Sequence, residues 1–132
     1  MNIKNKNLLI NKCYLNGAWV SSDKKIKVIN PATGELIVEV PDFGKKETAN
    51  AIDAAEHAFK TWSKFTAHER SKILKKWYDL VIDNQDDLAT IMTAEQGKPL
   101  SEAKGEIIYA ANFIEWFAEE AKRVYGDVLP DP

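Results

Sequence analysis

The sequence has one cysteine and two histidines in 132 residues. A lone Cys13 cannot close an internal disulfide, which fits a reducing compartment, and the protein is expected in the cytoplasm. His57 and His68 stand eleven positions apart on different predicted elements. Neither has a second His or Cys at ligand spacing, so no metal centre is expected. Long apolar runs are missing as well. Nothing approaches the roughly 20 residues that span a bilayer, and Leu8-Leu9-Ile10 is too short for the core of a secretory signal. There is no excess of positive charge: 18 basic residues face 20 acidic ones, for a net charge of -2. That balance argues against a nucleic-acid or anionic-membrane surface.

Recognisable chemical motifs are absent too. No GxGxxG follows a strand. Gly97-Lys98-Pro99 lacks the upstream glycine and the following Ser or Thr of a phosphate loop. A complete nucleotide cradle is therefore not visible. Asp86-Asp87 and Glu119-Glu120 are adjacent pairs, and neighbouring positions diverge on a helix, so solvated faces explain them better than paired acid catalysis. Glu119 and Arg123 have the favourable i,i+4 order for a surface ion pair. Cys13 has no evident basic partner to lower its pKa, and reads as a small hydrophobe in a strand.

What is present is a change of period. Residues 13–15 and 18–20 flank Asn16-Gly17, the strongest local hairpin signal, because both central positions of a type I′ turn need positive φ. Ile26–Ile29 and Leu36–Val40 flank Asn30-Pro31-Ala32-Thr33-Gly34 and form a second hairpin. The opening residues, with Lys4, Lys6 and Lys12, read as a flexible, solvated terminus over 1–12.

After Pro41 the apolar spacing becomes helical. Ala51, Ala54, Ala55, Ala58, Phe59 and Trp62 mark a helix from about Lys46 to Trp62. Thr66 and Glu69 have the form of a capping box for a second helix, from Ala67 to about Ile82, with Ile73, Leu74, Trp77, Leu80 and Val81 on its apolar face. Asn84 is expected to cap a third helix that stops at Gly97. Pro99 suits the first turn of a fourth, closed by Gly126, Pro130 and Pro132. Ala103, Ile107, Ala110, Ala111, Ile114, Phe117, Ala118, Ala121 and Val124 mark its main stripe. Ile108, Tyr109, Phe113 and Trp116 add apolar cover beyond the width one core face needs. Trp19, Trp62 and Trp77 are expected to be packing residues. The expected fold class is α+β, with N-terminal β-hairpins followed by about four helices.

Five segments carry a resemblance: YLNGAWV at 14–20, INPATGELIVEVP at 29–41, AIDAAEHAFKTW at 51–62, ERSKILKKWYDLV at 69–81 and MTAEQGKPLSEAKGEIIYAANFIEWFAEEAKRVYGD at 92–127. In order and spacing they resemble the N-terminal part of the aldehyde dehydrogenases, within them the NAD(P)-dependent succinate-semialdehyde class. The resemblance implies that 13–132 is the outer part of a nucleotide-binding domain, with the catalytic domain absent. It implies an enzyme several times longer, in which a cysteine attacks the aldehyde, hydride passes to NAD or NADP, and a glutamate-activated water hydrolyses the thioester. Those groups would all lie outside this sequence. No catalytic or cofactor-binding residue is assigned here, and neither cofactor is expected to bind these residues alone. The implied partners are the remainder of the polypeptide, a small aldehyde and further copies in a homo-oligomer, with no nucleic acid and no membrane. Tyr109 and Phe113, one turn apart, with Trp116, are the candidates for a substrate entrance. The competing reading is a self-contained helical interaction module without catalytic activity.

Overall fold

The computed structural model of the chain describes residues 1–127 and residue 129. Pro130 and Pro132, read above as part of the fourth helix's stop, lie outside the described residues. Strands β1 (Cys13–Leu15) and β2 (Ala18–Val20) pair antiparallel, with Tyr14 opposite Trp19. Their rings meet edge to face at 5.2 Å. Asn16 and Gly17 both take positive φ, +48° and +80°, as the turn requires. Strands β3 (Lys25–Ile29) and β4 (Leu36–Pro41) form a second antiparallel pair, irregular between Val28 and Ile29. The turn between them closes when the Gly34 amide donates to the Asn30 carbonyl at 2.8 Å. The two hairpins are separate sheets.

Helices α1 (Lys45–Trp62), α2 (Ala67–Asp83), α3 (Gln85–Gln96) and α4 (Leu100–Glu120) follow. The capping box of α2 forms in both directions. The Glu69 amide donates to the Thr66 hydroxyl at 3.3 Å, and the Thr66 amide donates to the Glu69 carboxylate at 2.8 Å. Glu47 does the returning half of this at α1, accepting from the Gly44 amide at 3.0 Å. Asn84 occupies the N-cap position of α3 but its side chain does not cap. Its amide donates back to the Leu80 carbonyl and its oxygen accepts from the Asn5 side chain. The sharp turn out of α2 leaves an acceptor nearby, and the polar side chain takes it. Pro99 sits one residue ahead of α4 rather than inside its first turn, and its carbonyl accepts from the Glu102 and Ala103 amides.

Helices α2 and α3 both pack on α4. Among the described residues the buried apolar residues of the helices are Ala89, Ala103, Ile107, Ala111 and Ala118. Alanine at these points lets the helix axes approach closely, and it leaves little large apolar surface inside. Among the described residues no large side chain is fully buried. Trp19 and Trp77, expected to be packing residues, are half exposed, as are Ile73 and Leu80 on α2. The reason is geometric: α2 meets α4 along a different face from the one that carries Ile73, Trp77 and Leu80. The chain exposes 10169 Å². A folded monomer of 14.9 kDa exposes roughly 7,000 Å². The excess of about 3,000 Å² is at least the size of surface that an obligate interface covers.

Two long-range ties join the periphery to the helices. The opening residues, expected to be solvated, carry a specific anchor: the Lys4 and Asn5 amides donate to the two carboxylate oxygens of Asp87 at 2.9 and 2.7 Å. Asp87 is buried rather than part of a solvated face. The second tie is at Gly97, which ends α3 at φ +72° and lies so close to Pro31 that an added Cβ would stand 3.0 Å from the proline ring. The turn of the β3–β4 hairpin thus rests on the α3–α4 elbow.

Each tie gives a prediction, to be measured in the longer protein. Alanine in left-handed backbone costs about 1–2 kcal/mol, so both Gly34→Ala and Gly97→Ala should lower the thermal midpoint. Gly34 has nothing within 4 Å of an added Cβ, so Gly97→Ala should lower it more, and equal shifts would remove the role given to the Pro31 contact. The Asn5 amide and then the Lys4 amide hold the Asp87 carboxyl below its ordinary value. The anchor is therefore complete above the ordinary aspartate pKa and is lost as pH falls through the lower folded value. Amide protection at Lys4 and Asn5 should fall over that acid range, and should be low already at neutral pH in Asp87→Ala.

Candidate functional site

Helix α4, at 21 residues, is longer than α2 and α3, and its outward face carries an aromatic concavity. Tyr109, Asn112, Phe113, Trp116 and Phe117 line a groove of about 330 Å³. Their spacing is i, i+3, i+4, i+7 and i+8, one face of a helix. The Tyr109 and Phe113 rings meet edge to face, 4.9 Å apart and at 89°, a favoured arrangement for aromatic quadrupoles. The four aromatic residues are between 48% and 65% exposed, so the groove is open on the side away from α2 and α3.

The structure brings Tyr109, Phe113 and Trp116 together in this groove. Two residues not among the candidates, Phe117 and Asn112, line the same groove. Phe117 was placed on the core stripe, but is more than half exposed. Asn112, a polar residue within the apolar run, was not among the candidates. The i+4 position from Phe113 is Phe117 and the i+3 position from Tyr109 is Asn112, so the helical spacing alone would have found both. Ala110 and Val124, also placed on the core stripe, are exposed as well.

A polar flank adjoins the groove, lined by Asn112, Glu115, Trp116, Glu119, Glu120 and Arg123. The expected Glu119–Arg123 pair does not form. Helix α4 ends at Glu120, so the i,i+4 geometry is not kept beyond it. Arg123 instead pairs with Glu120 at 2.9 Å. Glu119 is held between Lys122 of the following turn and Lys75 of α2, at 2.7 and 2.6 Å. The hydrogen bond from Lys122 and then that from Lys75 lower its pKa to about 2. The Lys75 contact ties the end of α4 to α2 beside the groove.

A helix N-terminus suits an anion when its amides are free. Here every helix already carries a carboxylate in its first turn: Glu47, Glu69, the Asp86–Asp87 pair and Glu102. Cys13 is partly buried on β1 and lines none of the α4 groove. Among the described residues no group of three His, Cys, Asp or Glu side chains could hold a metal ion. No described helix is long and apolar enough to cross a membrane.

Residues 19–132 match the model of the aldehyde dehydrogenase family. The chain belongs to that family. It is 58% identical to a glutarate-semialdehyde dehydrogenase of Pseudomonas putida over 98% of its length, covering 28% of that protein. It is 52% identical to the NADP(+) succinate-semialdehyde dehydrogenase of Escherichia coli over 98% of its length, covering 27% of that protein. The crystal structure of succinate-semialdehyde dehydrogenase from Burkholderia pseudomallei superposes with a TM-score of 0.95 at 55% identity, over all of this chain and 28% of that one. The α+β arrangement of two hairpins and four helices is thus an aldehyde dehydrogenase fold segment, spanning little more than a quarter of its relatives' length.

The Lys122–Glu119–Lys75 bridge yields a direct test. Lys122→Met should raise the Glu119 titration from about 2 toward the ordinary glutamate value of about 4.3, read by carboxyl carbon NMR. A titration unmoved by the substitution would rule out Lys122 as the main cause.

Proposed function

We propose that these residues belong to an enzyme that oxidises a small dicarboxylic semialdehyde, such as succinate or glutarate semialdehyde, to the acid. Water supplies the added oxygen, and NAD or NADP takes up the hydride. The reaction passes through a thioester on a cysteine outside residues 1–132, and the enzyme works in the cytoplasm. The names of the relatives support the substrate class. The observation that supports a role for this segment is the α4 groove, where Tyr109, Phe113, Trp116 and Phe117 form an apolar wall with room for a four- or five-carbon chain.

On this reading residues 1–132 are inactive alone. They supply packing surface to the nucleotide-binding part of the protein and one wall of the aldehyde entrance. The surface excess described above favours this over a self-contained interaction module, since an independent domain would cover its apolar faces.

The longer protein should reduce NAD or NADP with succinate or glutarate semialdehyde, and residues 1–132 alone should not. Failure of the longer protein with both aldehydes and both cofactors would end this reading. Phe113→Ala should raise KM by about tenfold, the scale of a lost apolar pocket contact, with little change in thermal midpoint. A large loss of stability with unchanged kinetics would instead make Phe113 a packing residue.

A further inference from the structure

We infer that Gln85 is a positioning residue: with Asp86 it fixes α4 just ahead of the aromatic groove, and the opening residues of the chain brace it there through Asp87. The inference rests on the aldehyde-entrance role proposed above and goes beyond it by naming what sets the place of that wall.

The first turn of α3 is a junction with two sides. On one side Asn84 and Asp87 take up the opening segment. The Lys4 and Asn5 amides donate to the Asp87 carboxylate, and the Asn5 side-chain amide donates to the Asn84 side-chain oxygen at 3.2 Å. On the other side Gln85 and Asp86 take up a single residue of α4. The Gln85 side-chain amide donates to the Lys104 carbonyl at 3.2 Å, and the Asp86 carboxylate pairs with the Lys104 ammonium at 2.6 Å. The ion pair is exposed on both partners, and exposed pairs contribute little. The hydrogen bond is partly buried and ends on backbone, so it holds the helix itself and not the tip of a long side chain.

The place that is held gives the contact its effect. Gly105 follows Lys104, and glycine is the weakest helix former after proline. An added Cβ at Gly105 would meet nothing within 4 Å, so no neighbour props α4 at that position. Tyr109, the first residue of the groove, lies beyond Lys104 by a helical rise of about 7.5 Å. A bend at Gly105 would carry Tyr109 and Phe113 with it. Beyond the groove, α4 is tied to α2 by Lys75 and Glu119. The aromatic wall is thus bracketed by one tie before it and one after. A wall that positions a substrate depends on such ties, because a displacement of about 1 Å can cost a large factor in rate.

The test compares the longer protein with its Gln85→Met variant. Methionine keeps the length and helix preference of glutamine and removes the donor. KM for succinate semialdehyde should rise about threefold, the scale of one lost hydrogen bond, with kcat and the cofactor KM within about twofold of wild type. Amide exchange should quicken over residues 105–113 and stay unchanged in α2. Asp87→Asn, which turns one accepting oxygen into a donor facing an amide, should shift the aldehyde KM in the same direction by less. An unchanged exchange rate over 105–113 would overturn the clamp. An unchanged aldehyde KM, or equal changes in kcat and both KM values, would overturn the positioning role and leave the proposed reaction intact. A wild-type protein that oxidises neither succinate nor glutarate semialdehyde would overturn both.

Discussion

The close approach of α2, α3 and α4 along an alanine seam is the constraint from which the other features follow. Ala89, Ala103, Ala111 and Ala118 fill the contact, and helices that meet through methyl groups leave no volume between them for tryptophan or phenylalanine. The large side chains must point elsewhere. On α2 they point away from the bundle as Ile73, Trp77 and Leu80, and on α4 they form the groove. A sequence with ordinary apolar content thereby makes a well-formed backbone with a thin core and a large amount of uncovered apolar surface. The same seam that orders the helices leaves their large apolar side chains exposed.

Local chemistry was well expressed in the sequence. Asn16-Gly17 defined a hairpin because few residue pairs accept two successive positive φ values. Thr66 and Glu69 defined a helix start because their two hydrogen bonds are short-range and reciprocal. Gly97 marked the end of α3 for the same steric reason. Tyr109, Phe113 and Trp116 could be grouped because helix periodicity alone puts them on one face. What periodicity could not supply was the choice between faces. Phe117 and Trp77 fit an inward stripe as well as an outward one, and only the small residues on the neighbouring helices decide which is buried. Asp87 was misread for a related reason. Its partners, the amides of Lys4 and Asn5, are backbone groups far away in sequence and leave no trace in side-chain pattern.

The charged residues do more to organise edges than to stabilise the interior. Glu47 and Glu69 close helix starts, Asp87 fastens the terminus, and Glu119 joins α4 to α2. Exposed ion pairs contribute little to stability one by one, but each of these also satisfies a backbone donor or fixes a helix end. They define where the exposed apolar faces begin and end.

The anchor at Asp87 also has a meaning in time. The residues it joins are 83 positions apart. At a synthesis rate of about 5–20 residues per second, the first residues would emerge from the ribosome roughly 4 to 17 seconds before the carboxylate that receives them. Through that interval the Lys4 and Asn5 amides lack the carboxylate that receives them. The fastening of the terminus thus reports that translation has passed α3, and it cannot form on a chain stalled before that helix.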